Sequence, residues 1–418
     1  MHKLDKSRLI WEIEEIVSRA KSELEETDEI RGRPLSSSWF IDGSYALSER
    51  QGSFVSLLSL ASVGVVSRRL VDGMPGARHP LPHILIPKFL GETRASLIMG
   101  SLELLEGIRA VRRGVELVVF DGSYLASLLA GYGSSYDAVT QVHSALRARG
   151  VPLQTVLKGV EDEVNRAIDG LIEEAGKEED AARFLKAVAR FLATIYDHAE
   201  SLYEPLSELG VEEGLSKQIL IDFSVAYTEV NFYLRLLGEL LSQAKESGIA
   251  PIWVAKETTS RFLSEVLGVR GWISDAVLLS IIWHAKERSY LVLREDVKAR
   301  SLKPISPPRD PVASPDTIKR AYRFNRFTVV YFKISRAGPV LQASFPSELV
   351  PRDRLEDAMA TLSELADERS GYPRPLAVVH HKAVLSRELA EAFATRLWRD
   401  SSGALKSILS PIGREIAL

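Results

Sequence analysis

The chain has 418 residues, a hydrophobic fraction of 45% and a net charge of -3, which are typical of a globular protein with a large core. It contains no cysteine, which excludes disulfides, thiolate metal sites and cysteine nucleophiles, so any metal ion must be bound by Asp, Glu or His. The near-neutral charge provides no overall attraction to nucleic acid, so nucleic-acid binding would depend on local basic patches.

The N-terminal segment, residues 1–30, has the pattern of an amphipathic helix. Leu9, Ile13, Ile16 and Val17 share one face, opposite acidic residues. We expect this helix to dock on the main body or on a partner. The segment is charged and lacks the core of a signal peptide, which predicts a cytoplasmic protein.

The longest apolar stretch is residues 54–66, which is too short to cross a membrane and is interrupted by three serines. It is better explained as one or two buried strands. The absence of cysteine, the 4 methionines and the 26% of charged residues also suit a thermophile.

Residues 31–157 are predicted to form a β-β-β-α-β unit, the first part of the core. The apolar patterns indicate strands at Trp39–Asp42, Ser53–Val66 and Ile84–Phe89, a helix at Arg94–Arg112 and a strand at Val115–Phe120.

One pentapeptide pattern occurs twice, as Ile41–Tyr45 and as Phe120–Tyr124, each time after an apolar run. We predict that each Asp lies where a buried strand breaks into a glycine turn. If the two strands are neighbours, Asp42 and Asp121 lie close together, and such a pair favours a divalent cation between them. The alternative is that Asp-Gly-Ser is an ordinary turn sequence at both places.

The rest of the chain is predicted to contain a helical insertion at 158–247 and the second part of the core at 248–418. The second part has a strand at Ile249–Ala255, a proline-rich connection at 302–315, further strands at Phe327–Ser335 and Val340–Ser344, and a last helix from about Pro375 to Trp398. The predicted fold class is α/β, an RNase H-like mixed sheet flanked by helices.

RNase H-like nucleases combine an Asp on the first strand, a Glu on the helix and an Asp at the next strand, which together can hold two divalent ions. Glu103 and Glu106 are both candidates for the helix ligand because they lie on neighbouring faces. Glu103 is preferred because it flanks the buried stripe of Leu102 and Leu105. Both could instead be solvated helix carboxylates.

Several stretches together resemble the NurA family of archaeal and bacterial nucleases that process DNA ends. They are Phe40–Ser44, Leu102–Glu103, Val119–Ser123, Ile252–Lys256, and Gly371–Leu376 leading to His380. They occur in the order of the family and span most of the chain. The resemblance implies an RNase H-like core that depends on Mn²⁺, with a two-metal site and with Mg²⁺ as the alternative ion.

The resemblance also implies a function and partners. The expected function is 5′–3′ exonuclease and single-strand endonuclease activity on single- and double-stranded DNA ends, in end resection during double-strand-break repair by homologous recombination. The expected partners are a second copy of the chain and a hexameric HerA-type ATPase. The sequence has no Walker A segment, so ATP hydrolysis would have to come from such a partner.

By position, the family's acidic residues match Asp42, Glu103 and Asp121, its active-site tyrosine matches Tyr372, and its metal-binding histidine matches His380. His381 follows directly, but only one of two adjacent helix residues can face a given site. Lys256 could contact a scissile phosphate or one of the carboxylates, or be an ordinary lysine at a strand end.

Two other functions remain open from the sequence: a catalytically idle scaffold that binds a DNA translocase, and a phosphatase with Asp42 as nucleophile. The phosphatase is disfavoured because Ser44 stands where a second Asp is needed. Basic and aromatic residues interleave at Lys319–Phe327, as a DNA-binding strand would require. An edge strand protected by charge would have the same pattern.

Overall fold

The computed structural model describes residues 11, 13–19, 30–132, 137–256, 258–267, 273–284, 286, 288–294 and 302–412. Of the predicted N-terminal helix, residues 13–19 are helical, and Ile13, Ile16 and Val17 pack against the main core. Leu9 lies outside the described residues. No helix in the described ranges has the length and apolar composition needed to cross a membrane.

The strands of the described chain form one mixed sheet. They are β1 (Ser37–Glu49), β2 (Phe54–Val66), β3 (Arg69–Pro75), β4 (Leu81–Leu85), β5 (Leu117–Asp121), β6 (Ala250–Ala255), β7 (Ser289–Leu293), β8 (Phe327–Lys333) and β9 (Leu341–Pro346). Their order is β3-β2-β1-β5-β6-β9-β8-β7, and β4 also pairs with β2. β5 pairs in parallel with β1 and β6, whereas the other pairs are antiparallel.

Helices cover both faces of this sheet. They are α1 (Gly91–Arg112), α2 (Tyr124–Leu129), α3 (Asp137–Arg149), α4 (Leu153–Val156), α5 (Val160–Lys177), α6 (Ala181–Glu213), α7 (Lys217–Ser247), α8 (Phe262–Val266), α9 (Asp275–Ile282), α10 (Pro315–Ala321), α11 (Arg352–Glu364), α12 (Arg374–Ala383), α13 (Arg387–Asp400) and α14 (Gly403–Ile408). α1 packs on β1 and β2 beneath α7, and α12 also packs on β1 and β2. The predicted fold class, an RNase H-like mixed sheet flanked by helices with a helical insertion, is confirmed.

The two Asp-Gly-Ser segments differ in conformation. Asp121 ends β5 as predicted, and Gly122 follows with a φ of +133°. The prediction that the first strand breaks at Asp42 is wrong, because β1 continues to Glu49. The reason is the pairing: β2 runs antiparallel to β1 along its full length, from Ser37 opposite Val66 to Glu49 opposite Phe54, and holds the backbone extended through Gly43.

The sequence patterns missed β3 and placed the third strand too late in the chain. β3 and β4 lie along opposite ends of β2, so together they occupy the position of one strand. The last predicted helix is in fact two helices, α12 and α13. α13 has its own N-cap, in which the Ser386 hydroxyl accepts a hydrogen bond from the Leu389 N–H.

The basic and aromatic run at Lys319–Phe327 is neither a DNA-binding strand nor an edge strand. It covers the end of α10, a 3₁₀ turn and the start of β8, which lies between β9 and β7. Tyr322 and Phe324 are buried, and the Tyr322 hydroxyl donates to the Leu128 carbonyl at 2.7 Å. Their rings therefore belong to the core and cannot stack on bases.

Candidate metal centre

Three side chains from separate elements meet at one edge of the sheet. The parallel pairing of β1 and β5 sets Ile41 opposite Phe120, so the next residues, Asp42 and Asp121, are neighbours. His380 approaches them from α12. One ligand atom from each of Asp42, Asp121 and His380 lies within 4.8 Å of the others. His380 Nδ1 is 3.0 Å from Asp42 Oδ2 and 3.8 Å from Asp121 Oδ2.

The electrostatics of this group favour a bound cation. Burial, followed by the charge of Asp121, raises the pKa of Asp42 to about 6, and contacts with His380 and Lys256 only partly oppose the rise. A cation at this position would favour the ionised form of Asp42. Two carboxylates and one imidazole are also a donor set that suits a divalent transition metal, so the residues present fit such an ion.

Glu103 lies on α1 next to the two aspartates. Its carboxylate accepts a hydrogen bond from the Gly43 N–H, and its pKa is raised well above the usual range by burial and then by Asp42 and Asp121. It is not a member of the three-residue group. Gly43 permits this close approach, because a Cβ there would lie 2.6 Å from Met99 Cε and 2.7 Å from Glu103 Oε1 and would displace one or both side chains.

Glu106, the other helix candidate, is part of the core. It is fully buried, and Arg109 Nε donates to its Oε2 at 2.7 Å. The Trp39 Nε1–H and the Ser62 hydroxyl both donate to its Oε1, at 2.8 Å and 2.6 Å. Because Arg109, Trp39 and Ser62 already bind both oxygens, Glu106 has a structural role.

Lys256 and Tyr372 complete the surroundings of Asp121. Lys256 directly follows β6, with its Nζ 3.1 Å from Asp121 Oδ2 and 5.0 Å from the centre of the Tyr372 ring. The Tyr372 hydroxyl is buried and has no hydrogen-bond partner among the described residues. Burial and then the charges of Asp121 and Asp42 raise the pKa of Tyr372, so its hydroxyl remains a donor at neutral pH.

His381 lies outside the centre. Its side chain is exposed, and its ring is 6.0 Å from that of His380. It is not a member of the group formed by Asp42, Asp121 and His380. A rotation of about 100° per residue along the helix explains why two adjacent histidines cannot both reach the aspartates.

A cleft of 570 Å³ opens directly beside the centre and is lined by Asp121 of the centre and by the adjacent Glu103. Tyr45 lines this cleft, as do residues of α1 and α2. The sequence interpretation gave Tyr45 no role. The only sequence signal for Tyr45 was its place in the repeated pentapeptide, and Tyr124 has the same place in the second copy. The structure distinguishes the two, because Tyr45 lines the cleft whereas Tyr124 is buried.

The model of the NurA domain family matches residues 39–385. This chain belongs to the NurA family. The crystal structure described as NurA with manganese is similar, with a TM-score of 0.61, 16% identity, and coverage of 96% of this chain and 99% of that one. The NurA nuclease from Sulfolobus solfataricus gives a TM-score of 0.54 at 15% identity and the same coverage.

A further similar structure is described as NurA bound to dAMP and manganese, with a TM-score of 0.59, 16% identity, and coverage of 96% of this chain and 98% of that one. No curated protein matches the chain. At these identities the structural likenesses establish the fold, whereas the match to the family model establishes the NurA family and confirms the resemblance seen in the sequence.

Proposed function

We propose that this chain is a Mn²⁺-dependent deoxyribonuclease that hydrolyses phosphodiester bonds. The observation that carries the proposal is the convergence of Asp42, Asp121 and His380 at the edge of the sheet. Membership of the NurA family and the similar structures containing manganese and dAMP support it.

Asp42, Glu103, Asp121 and His380 would hold the cation, as one ion or as the pair that the family implies, with Mg²⁺ as the alternative metal. A divalent ion at such a site lowers the pKa of water and stabilises negative charge on phosphate oxygens. The carboxylates supply most of the compensating charge. His380 would donate a ring nitrogen to the cation as a neutral imidazole.

Lys256 and Tyr372 would act on the substrate. The Lys256 ammonium is already held 3.1 Å from Asp121, so a small rotation of its side chain would bring it to a phosphate near that carboxylate. The Tyr372 hydroxyl has a proton to donate and no partner among the described residues. It would position a water molecule or a phosphate oxygen by donating a hydrogen bond.

The wider role that we propose is 5′–3′ exonuclease and single-strand endonuclease action at single- and double-stranded DNA ends, in double-strand-break end resection. The protein would act in the cytoplasm as a homodimer with a HerA-type hexameric ATPase. Family membership supports this assignment. The given sequence contains no Walker A segment, which is consistent with ATP hydrolysis by a partner protein.

The deciding experiment incubates end-labelled DNA with Mn²⁺, Mg²⁺ or EDTA and compares the native protein with Asp42→Ala and Asp121→Ala. We expect hydrolysis that EDTA abolishes and that either variant lowers by about 100-fold or more, because each removes a charge that the cation needs. Asp353→Ala, at an exposed carboxylate of α11, is the matched control and retains activity. Full activity in Asp42→Ala would contradict the proposal, and an inactive native protein would favour the scaffold.

A further inference from the structure

A short loop between α11 and α12 brings Tyr372 to the metal centre. Residues 366–373, here called the tyrosine loop, connect the two helices. Ala366 and Pro373 form an isolated antiparallel bridge that closes the base of this loop. The residues between them therefore form a compact turn whose conformation determines where Tyr372 lies.

One residue, Asp367, makes most of the hydrogen bonds within the tyrosine loop. Its Oδ1 accepts from the Arg369 N–H at 3.1 Å and from the Ser370 N–H at 2.9 Å. Its own N–H donates to the Tyr372 carbonyl at 3.0 Å, and its carbonyl accepts from the Gly371 N–H at 2.7 Å. An aspartate that accepts from the N–H two residues ahead forms an Asx turn, which fixes the local backbone. Asp367 therefore holds the backbone of the loop up to Tyr372.

The tyrosine loop also packs against the turn between β8 and β9. A Cβ added to Gly338 in that turn would lie 3.0 Å from both the Gly371 Cα and the Ser370 carbonyl oxygen. Gly371 has a φ of +63°, in the left-handed region that favours glycine, and a Cβ there would lie 2.5 Å from Ser335 Oγ. The loop therefore has little room to move towards this turn.

The position of the Tyr372 hydroxyl depends on the loop as well as on the core. The ring of Tyr372 packs against the main core, and its hydroxyl is buried without a partner among the described residues. Lys256 Nζ lies 5.0 Å from the centre of this ring and 3.1 Å from Asp121 Oδ2. Because the ring is attached to the backbone of the loop, a shift of that backbone would change the distance between the hydroxyl and the centre.

We infer that Asp367 is a positioning residue for hydrolysis, which holds the tyrosine loop in the conformation that presents the Tyr372 hydroxyl to the substrate phosphate. The inference rests on the proposed nuclease function and on the role of Tyr372 in it. Asp367 is not a member of the metal-binding group. The other contact of its carboxylate, 3.8 Å to Arg374 Nη2, joins two solvent-exposed groups, and such pairs contribute little to stability.

The first test compares two substitutions of Asp367 in the Mn²⁺-dependent assay with end-labelled DNA. Asp367→Asn removes the charge but keeps an oxygen that can accept from the Arg369 and Ser370 N–H groups, whereas Asp367→Ala removes the acceptor. We expect Asp367→Ala to lower kcat by about 10- to 100-fold, because a misplacement of about 1 Å can cost about 100-fold. Asp367→Asn should retain most of the rate. Equal losses in both variants would overturn the inference, because the charge rather than the turn would then matter.

A matched control is available at the start of α6. The Oδ1 of the exposed Asp180 accepts a hydrogen bond from the Arg183 N–H at 2.9 Å, so Asp180→Ala removes a bond of the same kind within the helical insertion. We expect Asp180→Ala to keep the native kcat. A loss equal to that of Asp367→Ala would overturn the inference, because any lost turn or cap would then have the same effect.

A double-mutant cycle tests whether Asp367 acts through Tyr372. The hydroxyl is absent in Tyr372→Phe, so Asp367→Ala should cause little further loss of kcat in that background. Gly338→Ala, which presses on the loop while Asp367 is intact, should show the same pattern. A loss by the same factor in both backgrounds, or full activity in Tyr372→Phe itself, would overturn the inference.

Mn²⁺ affinity distinguishes this role from a general structural one. The tyrosine loop leads into α12, which carries His380, so a variant that displaced α12 would bind Mn²⁺ more weakly. We expect Asp367→Ala to bind Mn²⁺ as tightly as the native protein in a titration followed by electron paramagnetic resonance. An affinity lowered tenfold or more would overturn the inference, because Asp367 would then act through the metal ligand.

The outcomes also separate the inference from the proposed function. A native protein that hydrolyses DNA in Mn²⁺ while Asp367→Ala keeps the full rate would overturn the positioning role and leave the nuclease in place. A native protein without hydrolysis in Mn²⁺ would contradict the proposed function and the positioning role together.

Discussion

At the scale of single residues, Glu103 and Glu106 are one helical turn apart but have different environments. Glu103→Gln should lower hydrolysis by about 100-fold with little change in stability, since it removes charge beside the aspartates. Glu106→Gln should instead lower the free energy of unfolding by about 3–5 kcal/mol, because it leaves the buried Arg109 unpaired. Urea unfolding and nuclease assays on the two variants measure both effects. The reverse pattern would assign the metal-site role to Glu106.

The raised pKa of Asp42 predicts a pH-dependent stability for the metal-free protein. In the folded protein the carboxyl group of Asp42 has a pKa of about 6, against an ordinary value of 3.8. Ionisation of Asp42 therefore lowers the free energy of unfolding as the pH rises from about 4 to above 6. Relative to the native protein, Asp42→Asn should gain on the order of 2 kcal/mol between pH 4 and pH 7. Urea unfolding in EDTA checks this, and a difference that does not vary with pH would refute it.

The two adjacent histidines should differ in metal affinity. Loss of even an outer-shell partner of a metal ligand lowers affinity by about 10- to 100-fold, so His380→Ala should weaken Mn²⁺ binding at least as much. His381→Ala should have almost no effect, because its side chain lies outside the group of ligands. A titration of Mn²⁺ followed by electron paramagnetic resonance measures both. Loss in His381→Ala alone would move the assignment to that residue.

At the scale of elements, the contact between β1 and α1 depends on Gly43. Gly43→Ala should destabilise the protein by about 1–3 kcal/mol and shift Glu103, because the new methyl group overlaps Met99 and Glu103. Gly170→Ala in α5 is the matched control. Apart from its chain neighbours and its own helix backbone, no atom of the described residues lies within 4 Å of the added Cβ, and alanine favours a helix by about 1 kcal/mol relative to glycine. Thermal unfolding measures the stability of the two variants, and a Mn²⁺ titration measures whether Glu103 has shifted. Equal stability of the two variants would show that α1 adjusts freely.

At the scale of the whole molecule, the N-terminal helix has both an inner and an outer face. Ile13 and Val17 pack on the core, whereas Trp11 is 61% exposed. If this helix contributes to the proposed homodimer, Trp11→Glu should shift the mass towards the monomer in light scattering without lowering stability. Deletion of residues 1–26 should weaken assembly more than hydrolysis of short DNA. A native protein that is monomeric at micromolar concentration would contradict the dimer.

The sequence by itself determined the family, the fold class and the candidate ligands. This was achievable because apolar periodicity and the residues Asp42, Asp121 and His380 are local features that occur in a characteristic order along the chain. The strand boundaries were harder to predict. The true end of β1 depends on its pairing with β2, which the Asp-Gly-Ser turn signal does not reveal.

Tertiary structure alone decided which of several equivalent residues face the site. Glu103 and Glu106 differ because Arg109, Trp39 and Ser62 surround only the second of them. Tyr45 and Tyr124 occupy the same position in a repeated pentapeptide, yet one lines a cleft and the other is buried. The physical reason is that burial and hydrogen bonding are set by neighbours that are far apart in the chain, so identical local sequence can lead to different environments.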